Sequence, residues 1–340
     1  MTLKANTIRL NLVHPFRISR SVSAYKENIL VTLDDGEHVG VGEAAPSAYY
    51  GEDADTVHAA LAQVRDWPDR DVFDLEAWDR RLQTAFPTQG SVRAAVEMAL
   101  HDLIGKKLGL PLYRLFGLDP SHLPVTSFTI GIDDLAKIRE KVRAAAGFPV
   151  LKIKLGTDRD LDILAAIREE TSATLRVDAN AGWNREHALR MVALLPAYGV
   201  ELIEQPLKPD DREGLRQLKE QSPIPIFVDE SVLMASDVAK VADCVDGINI
   251  KLMKCGGLRE ALRLIHVARA HGLQIMLGCM IETSVAITAA AHLAPLVDYL
   301  DLDGNLLISN DPYRGVTVQD GRLLLPDLPG IGVTPVGQLQ

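Results

Sequence analysis

Five ionisable residues close apolar runs at near-constant intervals, and no other feature of the chain restricts its fold as strongly. Lys154 ends LKIK, Asp178 ends LRVD, Glu204 ends ELIE, Asp229 ends PIFVD and Lys251 ends GINIK. Residue 178 follows 154 by 24 positions, 204 follows 178 by 26, 229 follows 204 by 25 and 251 follows 229 by 22. Each interval is the length of one strand plus its return helix. If the strands are consecutive staves of a barrel, all five side chains converge on its C-terminal mouth, where such folds carry their active sites.

The surrounding texture agrees. From about residue 121, short β-branched runs alternate with amphipathic stretches. Strands are expected at Val125–Ile130, Val150–Leu155, Thr174–Val177, Leu202–Ile203, Ile224–Val228, Gly247–Ile250, Gln274–Leu277 and Tyr299–Leu302. Helical patterns lie between them, among them Arg185–Leu195, Gly257–His271 and Ser284–Leu296. Eight strands alternating with helices predict an α/β fold, a (β/α)8-type barrel over residues 121–315.

Residues 1–120 read differently, as an α+β unit. Alternation over Thr7–Val13 and Asn28–Leu33 predicts strands, with Asp34-Asp35-Gly36 turning into a third at Val39–Gly42. Helical spacing follows at His58–Trp67, Leu75–Ala85 and Ser91–Gly105, the last with its apolar residues on one face. Residues 316–340 hold Gly321, Pro326, Pro329, Gly330 and Pro335, lack a helical period, and are expected to pack back on the N-terminal unit.

Composition narrows the partners. At 340 residues, 47% apolar and 24% charged, the chain can build a large core plus an appended unit. A net charge of -10 without a dense Lys/Arg run argues against nucleic acid. Cys244, Cys255 and Cys279 are too few and too unevenly spaced for a disulfide framework or a CxxC site. No apolar run approaches the ~18 residues needed to span a bilayer. The N-terminus alternates like a strand and lacks a signal-peptide core, so the expected location is the cytoplasm, with no membrane partner.

Taken singly, a carboxylate at a strand end is commonly a helix cap or the partner of a surface lysine. Three acids converging at a barrel mouth are unfavourable unless a cation neutralises them. Asp178, Glu204 and Asp229 are hard oxygen donors with no Cys or His in phase, which points to Mg²⁺ over Zn²⁺. Lys154 precedes this trio and Lys251 follows it, so around a barrel they flank the metal from opposite sides. A lysine near a cation has its pKa lowered and can act as a base, and two such groups on opposite faces of one carbon are what an epimerisation needs. Lys152 shares a strand face with Lys154. It either holds a substrate carboxylate or serves as charge partner to Glu204 or Asp178.

Taken together, the motifs resemble the enolase superfamily, and within it the muconate-lactonising-enzyme subgroup. The likeness runs over nearly the whole chain. SVRAAVEMALHDLIGKKLGLPLYRLFG is similar to the family's link from capping domain to barrel. KIK at 152–154, DAN at 178–180, EQP at 204–206, DES at 229–231 and NIKLMKCGG at 249–257 resemble its successive strand-end motifs. The resemblance implies one Mg²⁺ held by Asp178, Glu204 and Asp229, with Lys154 and Lys251 as the acid/base pair. It also implies an enediolate formed beside the substrate carboxylate, chemistry already known for the superfamily as a whole.

DLDG at 301–304 places Asp301 and Asp303 on one face of the eighth strand, and GCMIETS at 278–284 is similar to a seventh-strand motif. Both resemble the dipeptide epimerases (L-Ala-D/L-Glu epimerase-like), in which a matching Asp-x-Asp holds the α-ammonium of the substrate. The plain alternative for DLDG is a turn. The resemblance also implies lid loops near His14–Tyr25 and Pro46–Asp53, with Arg20 (or its neighbour Arg17) reading an acidic side chain. The expected substrate is a small dipeptide, and a homo-oligomer is left open. Two readings compete: an N-acylamino acid racemase or cycloisomerase of the same superfamily, and a ligand-binding barrel that retains a metal without catalysis.

Overall fold

A computed structural model describes residues 1–337 except 66, 68 and 69. The chain opens with three antiparallel strands in the order β1 (Thr2–Ile18), β2 (Ser21–Asp34) and β3 (Val39–Ala44). The Asp34-Asp35-Gly36 turn joins β2 to β3, with Asp34 accepting from the Gly36 N–H and Asp35 from the His38 N–H, both at 2.8 Å. The segment His14–Tyr25, expected as a loop, is instead the far end of the β1–β2 hairpin. Its register shifts between Asn11 and Phe16 and then resumes from Phe16↔Ser23 to Ile18↔Ser21, leaving Ser19 and Arg20 at the tip. The bulge lets the ribbon turn without ending.

Helices α1 (Ala54–Arg65), α2 (Leu75–Ala85), α3 (Gly90–Leu108) and the short α4 (Leu112–Leu115) follow. The expected stretch His58–Trp67 thus ends early, and its residue 66 lies outside the described residues. In α3 the expectation of one apolar face gives way to burial on every side from Gly90 to Gly105. Its apolar side packs on β3, where a Cβ at Gly42 would stand 2.0 Å from the Ala95 carbonyl oxygen. Its polar stripe meets the barrel. Arg93 donates to the Cys255 carbonyl at 3.2 Å, and Glu97 accepts from the Leu258 and Arg259 amides at 2.7 and 2.9 Å. Polar spacing that reads as a solvated face is here an inter-domain seam.

Eight parallel strands then pair in chain order. They are β4 (Phe128–Ile130), β5 (Val150–Lys154), β6 (Thr174–Asp178), β7 (Val200–Glu204), β8 (Ile226–Val228), β9 (Gly247–Lys251), β10 (Gln274–Gly278) and β11 (Tyr299–Asp301). The first stave starts later than expected because Thr126 and Ser127 do other work. They meet Leu300 of β11, the Ser127 amide donating to its carbonyl at 3.1 Å, and so close the ring. The outer helices are α5 (Leu135–Ala144), α6 (Asp160–Arg168), α7 (Arg185–Leu194), α8 (Arg212–Gln221), α9 (Ala235–Val241), α10 (Leu252–Cys255), α11 (Leu258–Ala270) and α12 (Ser284–Ala291). α12 stops short of Leu296, and Pro295, which has no N–H, sits in a separate 3-10 turn. His271 caps the C-terminus of α11, as its position before Gly272 predicts.

Two small two-stranded sheets follow, one enclosing the other in sequence. β12 (Tyr313–Arg314) pairs with β15 (Thr334–Pro335), and β13 (Thr317–Gln319) with β14 (Arg322–Leu324). This segment touches both units. Gly330 exchanges backbone hydrogen bonds with Leu110 and Leu112, while Gly321 accepts from Thr126. Residues 338–340 lie outside the described residues. Among the described residues no helix is long and apolar enough to cross a membrane, and all three cysteines are free.

Candidate active site

Parallel register sets the level of the strand-end charges. Lys154 pairs across to Asp178, Asp178 to Glu204, and Lys251 to Gly278, which faces Asp301. Asp229 follows directly on β8. Lys154 on the second stave and Lys251 on the sixth stand on opposite sides of an eight-stave ring. A cavity of about 550 Å³ lies between them, walled on the barrel side by Lys154, Asp229, Lys251, Asp301 and Asp303.

These charges are buried and satisfy one another. Lys154 Nζ donates to Asp178 Oδ2 at 2.6 Å and Lys251 Nζ to Asp229 Oδ2 at 2.8 Å. Lys152, 1% exposed, lies 2.6 Å from Asp301, 2.7 Å from Glu204 and 3.6 Å from Asp178. It is absent from the cavity wall. In this arrangement it is charge partner to Asp301, Glu204 and Asp178. Burial alone would lower Lys152 and Lys251, but the facing carboxylates, Asp301 first for one and Asp229 for the other, hold both above the usual range. The depressed lysine expected from the sequence depends on a cation's charge; between the protein's own groups the carboxylates set the opposite direction. Burial would raise Asp178, yet Lys154 and Lys152 keep it low, whereas burial and the Asp178 charge push Glu204 up to about 7.

The donor set suits a hard cation: three buried carboxylates, of which Glu204 Oε2 and Asp229 Oδ1 receive no hydrogen bond of good geometry although lysine ammoniums lie near. As placed, each carboxylate is turned to a lysine, so among the described residues no three such side chains stand in ligating arrangement.

Several residues inside the motifs, to which the sequence pattern assigns no role, support this ring. Asn249, two positions before Lys251 on the same strand face, donates to Glu204 Oε1 at 2.8 Å. Gln205 Oε1 accepts from the Asp229 amide at 2.9 Å and the Ser231 amide at 3.2 Å. Lys254 is buried and donates to the carbonyls of Asp229, Asn249 and Val232 at 2.6, 3.0 and 3.1 Å. The period of two could have found Asn249; no local signal marks the other two.

The eighth-strand pair departs from its expected placement. Asp301 ends β11, but Asp303 lies beyond it, at the start of the 3-10 turn Gly304–Leu307. Asp301 accepts from Ser127 Oγ at 2.7 Å and from Lys152, while Asp303 Oδ2 accepts from the Thr129 amide at 2.6 Å. Burial opposes ionisation of both. Lys152 and Lys154 still hold Asp301 down to about 2, while burial and the Asp301 charge push Asp303 up to about 6. Asp303 Oδ1 lies 3.9 Å from the Cys279 thiol, and the residue borders the cavity.

The capping unit supplies the opposite wall. The expected lid segment Pro46–Asp53 forms a 3-10 turn, Ala48–Tyr50, whose Tyr49 and Tyr50 border the cavity. Arg20 borders it too, but its guanidinium is already engaged. Nη1 donates to Glu230 Oε1 at 2.7 Å and to the Asn180 carbonyl at 3.0 Å, and the group stacks 4.2 Å from the Tyr49 ring centroid. Arg17 is exposed, is not part of the wall, and offers its carbonyl to the Ile132 amide.

Comparison with known proteins gives this geometry its relatives. Residues 134–338 match the family described as enolase C-terminal domain-like, and residues 3–117 the mandelate racemase / muconate lactonizing enzyme N-terminal domain. The chain is 42% identical to an L-Ala-D/L-Glu epimerase of Bacteroides thetaiotaomicron over 329 residues, 96% of this chain and 86% of that protein. A hydrophobic dipeptide epimerase of Roseobacter litoralis is 40% identical over 98% of each chain. A crystal structure of a dipeptide epimerase from Methylococcus capsulatus, complexed with Mg and the dipeptide L-Arg-D-Lys, superposes with a TM-score of 0.90 at 34% identity, covering 97% of this chain and 98% of that one. The chain belongs to the mandelate racemase / muconate lactonizing enzyme family of the enolase superfamily.

Proposed function

We propose that the protein is a Mg²⁺-dependent dipeptide epimerase, an isomerase that inverts the α-carbon of the C-terminal residue of an L,L-dipeptide. The observation that carries this reading is a single cavity walled by Lys154 and Lys251 from opposite staves and by Asp301 and Asp303 from the eighth. Asp178, Glu204 and Asp229 would hold the metal through carboxylate oxygens. When bound, Mg²⁺ supplies positive charge that stabilises the charge developing beside the substrate carboxylate as the α-proton leaves.

The remaining work falls to the chain's own groups. Asp303, backed by Asp301, takes the substrate's α-ammonium, a charge-assisted contact that an N-acylated amino acid cannot make. One lysine removes the α-proton and the other returns a proton to the opposite face. Lys152 keeps Asp301 charged and holds Glu204 in place. We place the reaction in the cytoplasm, in keeping with three free cysteines.

Incubation with Mg²⁺ and a pool of L,L-dipeptides in D₂O should add one deuterium at the α-carbon of the C-terminal residue and generate the L,D product. Absence of any mass shift across a broad pool overturns the reading. Uptake into N-succinylamino acids but not dipeptides would replace it with a racemase.

A further inference from the structure

The capping unit reaches the barrel through two buried carboxylates that do the same thing to neighbouring helices. Glu97 of α3 accepts from the first amides of α11, Leu258 and Arg259. Glu43 of β3 does this for α12, and does it more fully. Its Oε1 accepts from the Thr283 amide at 3.0 Å, and its Oε2 from the Thr283 hydroxyl at 2.6 Å and the Ala286 amide at 3.3 Å. A carboxylate at a helix N-terminus satisfies amides that have no partner within the helix and complements the helix dipole. Thr283 is itself the N-cap, so Glu43 grips the residue that starts the helix.

What separates the two ties is where they lead. Glu97 holds Leu258 and Arg259, neither of which lines the cavity. Glu43 holds the end of the loop Gly278–Thr283, whose Cys279, Met280 and Ile281 line the cavity. A second hand works beside it. Asn28 of β2 donates one amide to Glu43 Oε1 at 2.7 Å and to the Ile281 carbonyl at 3.0 Å. Inside the loop, Glu282 Oε1 accepts from the Met280 amide at 2.7 Å, closing a tight turn. The loop's start is fixed by β10 and its end by groups more than 200 residues earlier in the chain.

We propose that Glu43, with Asn28, is a positioning residue for the dipeptide: the capping unit sets the shape of the seventh-strand loop, and with it the cavity wall beside Asp303. The inference rests on the dipeptide-epimerase reading for its substrate, though not for its geometry. Glu43→Gln replaces one of the two carboxylate oxygens with an NH₂ donor facing other donors, so the loop end loses one of its two acceptors. Steady-state kinetics should show KM for the preferred dipeptide about tenfold higher with kcat within about twofold of wild type. Thr283→Val, which removes the hydroxyl without touching the cavity, should shift KM the same way by a smaller factor, and Thr283→Ser should restore it. Glu97→Gln is the internal control, expected to lower Tm while leaving KM unchanged.

A second readout needs no turnover. Hydrogen–deuterium exchange at the amides of 279–283 should quicken in Glu43→Gln and Thr283→Val but not in Glu97→Gln. Wild-type KM and wild-type exchange in both loop variants would overturn the proposal, as would an equal KM shift in Glu97→Gln. Should the wild-type protein exchange no dipeptide α-proton, the epimerase reading fails, and the amide-exchange comparison alone decides whether Glu43 shapes the loop.

Discussion

The cavity has two walls built on different plans. On the barrel side, charged groups sit at strand ends, are buried, and are locked into ion pairs of 2.6–2.8 Å. On the capping side, a hairpin tip and a short turn supply Arg20, whose side chain is 32% exposed, and the exposed Tyr49. Lys26 of β2 also borders the cavity there, pushed down by burial and without an ion-pair partner among the described residues. On the proposed function, the difference separates chemistry from selection. Groups that move protons need fixed geometry and stand on packed strands, while groups that choose a side chain stand on segments that can be changed without disturbing the core.

The contrast breaks most sharply at the lysines. Replacing Lys154 or Lys251 with Ala should cut epimerisation by about 10³-fold or more, with the remaining lysine still exchanging the α-hydrogen of one antipode in D₂O. Equal exchange of both antipodes by a single variant would contradict the two-sided arrangement. Next comes Asp303→Asn, which leaves the Thr129 contact an acceptor while removing the charge proposed to meet the ammonium. A fall of about 10²-fold in kcat/KM for dipeptides with little change in Tm is expected. A large loss of Tm would instead make Asp303 a scaffold residue.

Changes on the capping wall should be smaller and substrate-dependent. Glu230→Gln weakens the hold on Arg20, so KM for a dipeptide with an acidic C-terminal residue should fall by about three- to tenfold, while neutral dipeptides are unaffected. Uniform changes across substrates would mean that the Arg20–Glu230 pair only fastens the lid.

The smallest effect is on stability, away from both walls. His292 accepts from the Tyr113 amide at Nδ1 and donates from Nε2 to the Ile331 carbonyl, so it is held neutral, and burial brings it down to about 4. The unfolded chain binds this proton near pH 6.5, so the contribution is complete above that pH and declines as pH falls toward 4. Between pH 7 and 5 His292 should account for about 2 kcal/mol of lost stability. Chemical denaturation of the wild type against His292→Gln, whose pH slope should be shallower, checks this.

The two walls also differ in how far they can be read from residues alone. The barrel wall was legible because a charge at the end of an apolar strand is conspicuous and the βα repeat spaces such charges evenly. Asp303 slipped by one step because an Asp-Gly pair both ends a strand and starts a turn. On the capping wall the resemblance supplied the lid segments and Arg20, and the cavity borders both, but what Arg20 touches was not legible. That Arg20 meets Glu230, 210 positions away, depends on how a hairpin leans over a barrel, and nothing local encodes it. Glu43 carried a faint mark, one acid inside the apolar run VGVGEAA, but its partner Thr283 lies 240 positions on.

The burial of α3 on every side bears on how such proteins can be recombined. With one flank against β3 and its charged flank sunk in the barrel, the helix belongs equally to both units, and neither is a portable part. A chimera cut near residue 120 would leave Arg93, Glu97 and Asp102 facing a foreign barrel without the amides and carbonyls that now receive them. On the proposed function, selectivity is better exchanged between relatives by grafting short wall segments, such as the hairpin tip and the Ala48–Tyr50 turn, onto an intact chain.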